Sequence, residues 1–492
     1  MAGFNLVRNA KVLYTNNVNA STGVVALSAH SAALTQEIQV MNGFSFSQNT
    51  ETQNITVSEA GLDPARGQRT FNTALAPVDF SFTTYIRPKL NGSVTAEEKH
   101  LWNALLSDTI IDVTGLTVST VAAFTRTASS NVVTFTCAAV NLTTAGIAVG
   151  DVVTVGTITD TTFAADWNAA VKITAITGTL VACTGMTIEY LNAPRGATTA
   201  PTSAPTTIKL FKGAVSQHPI AGSSTAAYLL AHSGRSNKNK LTTFGIIVAI
   251  DDVTYVIDNC SLGQASVEFG LDGIAQIAWT GQGTTMRILA ATTLTTGTFG
   301  GAITGSYTPA DTTAYFITNK LTTATLAKTL RGLGTTPTAY TIAITGGNLT
   351  INNNISYVTP EILGTVNQPI GYFTGTRAIS GNVTAYLKSG AGKTGGLLSD
   401  MLTAATAPGG SENKYSLGLQ VGGSSNATRV EFEMPGVMLQ IPSIETADVV
   451  STTINFTAEG FSSLSSAAAG VDAAAFDLEA TNDLALKYFS AA

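Results

Sequence analysis

The chain has 492 residues, of which only 11% are charged, with a net charge of −6 and a pI near 5.3. This length allows several domains, and the acidic balance excludes a basic surface of the kind that holds nucleic-acid phosphates. Mean hydropathy is +0.24, yet no apolar run approaches the ~20 residues of a membrane-spanning helix, so we predict no membrane insertion.

The N-terminal sequence MAGFNLVRNAKVLY lacks the apolar core and cleavage site of a secretory signal, so we expect folding in the cytoplasm where the chain is synthesised. Cys137, Cys183 and Cys260 are too few for a disulfide framework and have no neighbours at metal-ligand spacing. Thr, Ser, Ala and Gly are plentiful, whereas side chains suited to catalysis are scattered. We therefore predict a β-rich building block without catalytic residues, metal or cofactor.

The first unit is predicted to comprise residues 1–112 and 217–290. In it, DFSFTTYIRP alternates as a strand with one apolar side, and the next apolar residues have helical spacing. The strand positions are Phe80, Phe82, Thr84 and Ile86, and the helical positions are Leu101, Trp102, Leu105 and Leu106. Further strand-like segments between 242 and 281 complete the unit.

Residues 113–216 interrupt this unit with their own strand-like segments, and we predict a small all-β insert that ends in a Pro/Thr-rich linker. A Thr/Gly-rich stretch, 291–310, is predicted to be a linker to the second unit.

The second unit, 311–465, repeats the arrangement of the first. Its strand positions are Ile379, Gly381, Val383, Ala385 and Leu387, and its helical positions are Leu397, Leu398, Met401 and Leu402. Two such units indicate an internal duplication. The Ala-rich tail, 466–492, is compatible with a helix or with disorder, and periodicity does not decide between them.

Each unit has a long connection between paired strands, at 54–77 and at 354–369. Connections of ~15 residues or more without regular structure are usually functional, and we predict that these two contact another subunit. The candidate interface residues are Ile55, Val57, Glu59, Asp63, Arg66, Arg69, Phe71, Leu75, Tyr357, Pro360, Glu361 and Pro369.

Two alternative functions remain open. One is an NTP-binding enzyme, because Gly390–Thr394 lies between a strand and a helix, as phosphate-binding loops do. The full GxxxxGK motif would need glycine at 387, where the sequence has Leu387. The other is an adhesive β-protein that binds a surface ligand through the insert, 113–216.

Several blocks spread over both units resemble the major tail tube proteins of long, non-contractile-tailed bacteriophages, the type with two fused tube domains. The blocks are NITVSEAGLDPARGQRTFN with DFSFTTYIRP, YVIDNCSLGQASVEFGLDGIAQIAWTGQG, ITGGNLTINNNISYVTP, PIGYFTG with GNVTAYL, and IPSIETADVV. The insert has no counterpart that we identify in this family, and we expect it on the outer wall.

The resemblance implies two tandem β-sandwich or barrel modules, each with a short flanking helix, that assemble as homotrimeric, pseudo-hexameric rings stacked into a tube. It also implies a place in the virion tail, assembly in the bacterial cytoplasm, and tape-measure, tail-tip and tail-terminator partners. DNA is expected to pass through the lumen without specific binding. Polar residues on the non-core side of the strands are lumen candidates: Thr83, Asn382, Thr384 and Asn455.

Overall fold

The computed structural model describes the chain apart from residues 1–9, 42, 56–68, 92, 107–114, 127–131, 157, 159–166, 168–169, 191–199, 202–203, 212–214, 219–224, 232–240, 252, 312–315, 328–338, 361–362, 364–366, 407–413, 424–427, 443, 446–449, 459–483 and 492. Strands dominate it, and the mainly β fold predicted from sequence is confirmed.

The first unit begins with β1 (Lys11–Thr15), β2 (Thr35–Ile38), β3 (Ser45–Ile55), β4 (Arg69–Tyr85), β5 (Pro88–Asn91), β6 (Ser93–Ala96) and α1 (Lys99–Leu106). The interrupting segment contains β7 (Leu116–Ser119), β8 (Ala122–Arg126), β9 (Val132–Val140), β10 (Val152–Gly156), β11 (Ala170–Gly178), β12 (Cys183–Tyr190) and β13 (Thr207–Phe211). The chain continues through β14 (Val215–His218), β15 (Thr225–Ala231), β16 (Phe244–Ile250), β17 (Val253–Gly270), β18 (Gln276–Gly283) and β19 (Thr285–Ala290).

Three short strands then precede the second unit: β20 (Thr292–Thr295), β21 (Thr298–Gly301) and β22 (Gly305–Ser306). The second unit contains β23 (Thr323–Ala327), β24 (Ala339–Ile342), β25 (Ile344–Asn352), β26 (Ile355–Val358), β27 (Gly371–Thr374), β28 (Ala378–Tyr386), α2 (Thr394–Ala405), β29 (Lys414–Gly422), β30 (Arg429–Leu439), β31 (Ile444–Glu445), β32 (Ser451–Ala458) and β33 (Ala485–Ala491). Within the described residues, 3₁₀ turns lie at Thr143–Ala145 and Asn319–Leu321.

Strand β4 shows why the alternating pattern folds as it does. Phe80 and Phe82 are buried on its core side, and so is Ile86 directly after the strand. Thr84 joins them because its hydroxyl accepts a 2.9 Å hydrogen bond from Nε1 of Trp279. A buried hydroxyl is tolerated when it is hydrogen-bonded in this way. The opposite side of the strand carries polar residues that face away from the core.

Strand β17 belongs to two sheets. Its first half pairs with β16 and β19, and its second half pairs with β18 and β25. The change occurs beside Asn259, which has a positive φ of 51°. Asparagine tolerates this left-handed conformation better than most residues, so the bend is local and leaves both halves extended.

The strand pairings of the first unit recur in the second. They are β1–β2 and β23–β24, β1–β16 and β23–β29, β16–β17 and β29–β30, β17–β19 and β30–β33, β17–β18 and β30–β32, β18–β4 and β32–β28, and β3–β4 and β25–β28. The helices α1 and α2 occupy matching places in the two series. The residue limits set for the units from sequence stay a prediction.

The interrupting segment builds a separate seven-stranded sheet, β7 to β13, around its own apolar cluster. Trp167, Phe124 and Phe135 pack at its centre, with ring centroids of Phe124 and Trp167 5.8 Å apart. An independent core of this kind is what allows a segment to be inserted between two strands of another sheet.

Residues 291–310, expected to be a linker, instead form the three-stranded sheet β20–β22. Phe299, Ile303 and Tyr307 from this stretch pack against Leu13 and Val25 of the first unit. The Thr/Gly-rich composition of this segment does not predict these contacts, yet the three apolar side chains attach the segment to the first unit.

Residues 466–483 of the predicted tail lie outside the described residues, and the end of the tail is neither a helix nor a disordered segment. Residues 485–491 form β33, which lies between β30 of the second unit and β15 of the first. Leu486 and Tyr488 are fully buried, because alternate positions of this strand face the shared core.

Tyr488 connects the end of the chain to helix α1. Nε1 of Trp102 donates a 2.7 Å hydrogen bond to the Tyr488 hydroxyl, which donates in turn to the carboxyl group of Glu98. Trp102 packs edge-on against Trp279, with centroids 4.9 Å apart. Burial raises the pKa of Glu98 from 4.5 to about 8, so this carboxyl is protonated at neutral pH.

We expect Glu98→Gln to make stability less dependent on pH. The folded wild-type protein retains a proton on Glu98 that the unfolded chain releases between pH 4.5 and about 8, so its free energy of unfolding falls as pH rises through that range. The expected fall due to this group is on the order of 5 kcal/mol across that range, and the amide variant lacks it. Burial lowers the pKa of neighbouring His100 from 6.5 to about 3. The resulting loss of stability below pH 6.5 is the same in the wild type and in Glu98→Gln.

Chemical denaturation at pH 5, 7 and 9 measures the difference. Parallel stability profiles for the wild type and Glu98→Gln would show that Glu98 does not hold a proton in the fold.

No helix among the described residues has the length and apolar character to cross a membrane.

Candidate functional site

The candidate functional surface is one face of a continuous sheet that runs through both units. Its strands follow the order β3, β4, β18, β17, β25, β28, β32 and β30, all antiparallel neighbours. The join between units is the pairing of β17 with β25, from Gln264 opposite Asn352 to Gly270 opposite Gly346. Both units therefore present their outer strand positions on one surface.

This polar face is almost without charge. Its side chains are mainly Ser, Thr, Asn and Gln, and the strand segments that form it contain no Lys or Arg: 45–48, 78–85, 264–270, 276–283, 346–352, 378–386, 437–440 and 451–458. The carboxylates in these segments are Asp79 and Glu268, both exposed. The other side of the same strands is the apolar core.

Hydrogen bonds between neighbouring strands order the polar face. Ser45 and Ser81 hydroxyls lie 2.8 Å apart, and those of Ser266 and Thr350 lie 3.2 Å apart across the join between units. The Gln282 amide donates to Asp79 over 2.7 Å. Such contacts restrict side-chain motion while leaving the surface wet.

One glycine shows how tightly the core side is packed behind this face. A Cβ at Gly381 would lie 2.1 Å from the Asn348 carbonyl oxygen and 2.7 Å from the Phe456 ring. Gly381 corresponds to Phe82 of the first unit, and its partner Phe456 corresponds to Trp279, so the second unit has one aromatic ring where the first has two.

The four lumen candidates named from sequence all lie on the polar face. Thr83, Asn382 and Thr384 are partly exposed and Asn455 is exposed. Asn382 pairs with both Asn348 and Asn455, so three asparagines form a row across β25, β28 and β32.

The hairpin β26–β27 crosses from the second unit onto the first. The Tyr357 hydroxyl lies 2.8 Å from the carbonyl oxygens of both Asn259 and Gln282, and the Tyr372 hydroxyl donates to the Leu241 carbonyl over 2.8 Å. Asn367 exchanges backbone hydrogen bonds with β4 at Thr73 and Leu75. The second long connection thus contacts the adjacent module of its own chain.

Apart from Tyr357, which makes the contacts just described, the interface candidates divide into three groups. Phe71 is 47% exposed, Leu75 and Pro360 are partly buried and Pro369 is buried. Ile55 and Arg69 are paired at the ends of β3 and β4. Val57, Glu59, Asp63, Arg66 and Glu361 lie outside the described residues. Their roles at an interface stay a prediction.

Exposed apolar side chains mark the two opposite ends of the sheet. At the end that carries the β26–β27 hairpin, Leu363 is 101% exposed and Phe373 is 57% exposed. At the other end, where β17 turns into β18, Leu271 and Leu321 are each 58% exposed and Phe316 is 50% exposed. Sequence reasoning identified neither group, because exposure depends on which loops the fold brings to an end.

The loop Gly390–Thr394 is closed by its own backbone. The Thr394 hydroxyl donates to the Tyr386 carbonyl over 2.9 Å, and the Gly395 amide donates to the Lys388 carbonyl over 2.8 Å. A phosphate-binding loop needs such donors turned towards the ligand, so the local geometry gives no support to the NTP-binding alternative. Across the residues that the structure describes, no group of three or more His, Cys, Asp or Glu is arranged to hold a metal ion.

No family model matches the chain. Among curated proteins, the chain is similar to "Tail tube protein pb6" of Escherichia phage T5, with 25% identity over 445 residues that cover 87% of this chain and 69% of the relative. The chain resembles a siphophage tail tube protein, as inferred from its sequence blocks.

Proposed function

We propose that this chain is a structural subunit of a phage tail tube, and that its polar face lines the channel through which DNA passes. The continuous polar face without basic residues carries this proposal, together with the similarity to a tail tube protein. The chemistry is passive: the wall hydrates the channel and confines the DNA.

The absence of Lys and Arg from the polar-face segments favours passage of DNA over binding of DNA. Each Lys or Arg that contacts a phosphate releases counterions and strengthens the hold on DNA, and the polar face supplies none. Asp79 and Glu268 add a weak repulsion, which salt screens over roughly 10 Å. Ser, Thr and Asn keep water at the wall without a strong attraction for the polymer.

The finer part of the proposal is a ring of three chains, with six modules in all, stacked into a tube. The repeated strand pairings support it, because two equivalent modules in one chain make a pseudo-sixfold arrangement from three copies. Tape-measure, tail-tip and tail-terminator proteins are the partners that such a tube needs at its core and ends.

Negative-stain electron microscopy of the purified protein, concentrated and incubated over several days, tests this function. We expect rings with a central hole, and tubes that share the same bore. Particles that stay globular and monomeric at every concentration, with native circular dichroism, would contradict the proposal.

Adding a cation to the polar face should make the tube retain DNA. Ala278 is exposed on the polar face in β18, so Ala278→Lys places an ammonium group there without removing a hydrogen-bonding side chain. We expect variant tubes to bind linear double-stranded DNA several-fold more tightly at low salt, with the gain lost at high salt.

Co-sedimentation of labelled DNA with assembled tubes measures this effect. Ala138→Lys, at an exposed position of β9 in the inserted sheet, is the matched control for the added charge. Equal DNA retention by the two variants would show that the polar face does not contact DNA.

The two apolar ends support stacking of rings head to tail. A contact between unlike ends of identical subunits propagates into an open filament.

We expect Phe373→Asp at one end and Leu321→Asp at the other to leave single rings intact and to shorten or abolish tubes, as measured by microscopy. Val181→Asp removes a 62% exposed apolar side chain from the insert and should leave tube length unchanged. Normal tubes from both end variants would rule out these ends as the stacking contact.

A further inference from the structure

Two of the three cysteines of the chain lie side by side in the inserted sheet. Cys137 is on β9, and Cys183 begins β12, the strand that pairs with β9. Cys183 is fully buried in the apolar cluster of the insert, and the partly exposed Cys137 packs against the same cluster. Both are free thiols in the structure, and the proposed tube function uses neither of them.

The two cysteine side chains are in contact. The Cys137 thiol donates to the Cys183 carbonyl over 3.7 Å, and the Cys183 thiol donates to the Gly185 carbonyl over 3.1 Å. Burial, the charge interaction with Cys183 and a side-chain hydrogen bond to Cys183 raise the pKa of Cys137 to about 11. Neighbouring strands are about 4.7–4.9 Å apart, within the Cα separations of about 4.4–6.8 Å that a disulfide spans. A disulfide here therefore does not require either strand to change its partner.

The ladder between β9 and β12 is irregular at the two cysteines. The register shifts between Cys183 and Gly185, where three residues of β9, 137–139, face only one residue of β12. Such a bulge leaves backbone groups out of the ladder and disrupts the pairing locally. The turn that joins β11 to β12 ends at this bulge, and its Val181 side chain is 62% exposed. A covalent bond at this place would hold β9 against β12 where backbone hydrogen bonds are fewest.

The third cysteine has a different environment in the same chain. Cys260 is fully buried on β17, and its thiol donates to the Ile257 carbonyl over 3.3 Å. It belongs to the core of the two units, whereas Cys137 and Cys183 belong to the separate core of the insert. Cys260 is therefore an internal control for any reaction of the other two thiols.

We propose that Cys137 and Cys183 form a disulfide that holds β9 against β12 when the folded chain meets a low-molecular-weight disulfide such as oxidised glutathione. In the first step, Cys137 loses its proton and its thiolate attacks one sulfur of the reagent, whose S–S bond breaks to release one thiolate. In the second step, Cys183 loses its proton and attacks the Cys137 sulfur of the mixed disulfide, which displaces the other thiolate. The released thiolates take up the two protons, so two protein thiols are oxidised and one reagent disulfide is reduced to two thiols.

Exposure determines the order of these steps. Cys137 is partly exposed and meets the reagent, whereas Cys183 has no exposed surface and reacts from inside the insert. A bacterial cytoplasm keeps thiols reduced, while the medium outside the cell oxidises them. We expect the cross-link after release from the cell, a timing that rests on the proposed place of the chain in a virion.

Thiol mapping of the folded, full-length chain tests the pair. Protein purified under reducing conditions is incubated with oxidised glutathione at alkaline pH, because the raised pKa of Cys137 makes thiolate scarce at neutral pH. Free thiols are then alkylated in denaturant, and the peptides are identified by mass spectrometry. We expect one disulfide, between Cys137 and Cys183, with Cys260 recovered in alkylated form. Dithiothreitol should restore all of the thiols.

The same oxidation in denaturant is the control. Unfolded chains should give a mixture of pairings, so a single product from the folded chain reports the geometry of the insert. Unreacted thiols at both positions after prolonged incubation, or separate glutathione adducts on Cys137 and Cys183, would overturn the proposal. A disulfide that involves Cys260 in the folded chain would overturn it as well.

Proteolysis of the insert gives a second readout. A disulfide restricts the unfolded segment between the two cysteines, so oxidation should slow thermolysin cleavage between β9 and β12 several-fold. Cys137→Ser changes a partly exposed side chain and should be cleaved at the same rate with and without oxidised glutathione. Cleavage of the cross-linked wild type at the rate of the reduced protein would contradict the stabilising role.

These outcomes do not depend on assembly. A chain that forms the disulfide but no rings would contradict the proposed function alone. Rings from a chain whose Cys137 and Cys183 never pair would overturn this inference and leave the tube role standing.

Discussion

Antiparallel pairing of β17 with β25 is the constraint on which the surface of this protein depends. Side chains alternate along a strand, so a slip of one residue would turn the core residues of the second unit towards water. In the observed register Val267 and Leu349 face the core together, while Ser266 and Thr350 face outward. A single join therefore aligns two cores and two polar surfaces at once.

Sequence patterns anticipated the parts of the fold that are determined locally. The alternation around Phe80 and Phe82 predicted a core-facing strand, and the spacing of Leu101, Trp102 and Leu105 predicted the buried stripe of α1. Both patterns have periods that a short window reveals. The polar positions Thr83 and Asn455 followed from the same alternation, since the face opposite an apolar stripe is the one left for solvent.

Those short-range patterns could not predict contacts between distant parts of the chain. Glu98 is buried because Tyr488 reaches it from a strand 390 residues away, and nothing near Glu98 in the sequence signals this partner. Strand β33 was missed for the same reason, because its neighbours β15 and β30 come from different units. The exposed ends of the sheet, such as Phe373 and Leu321, depend on how the loops meet in space.

Fusion of two modules into one chain makes every second joint of the proposed ring intramolecular. Such a joint forms at a high effective concentration, so its register needs no help from assembly. In the proposed ring, the remaining contacts lie between copies, and each gains strength when the ring closes. Closure of this kind favours separate subunits before assembly and a continuous wall afterwards.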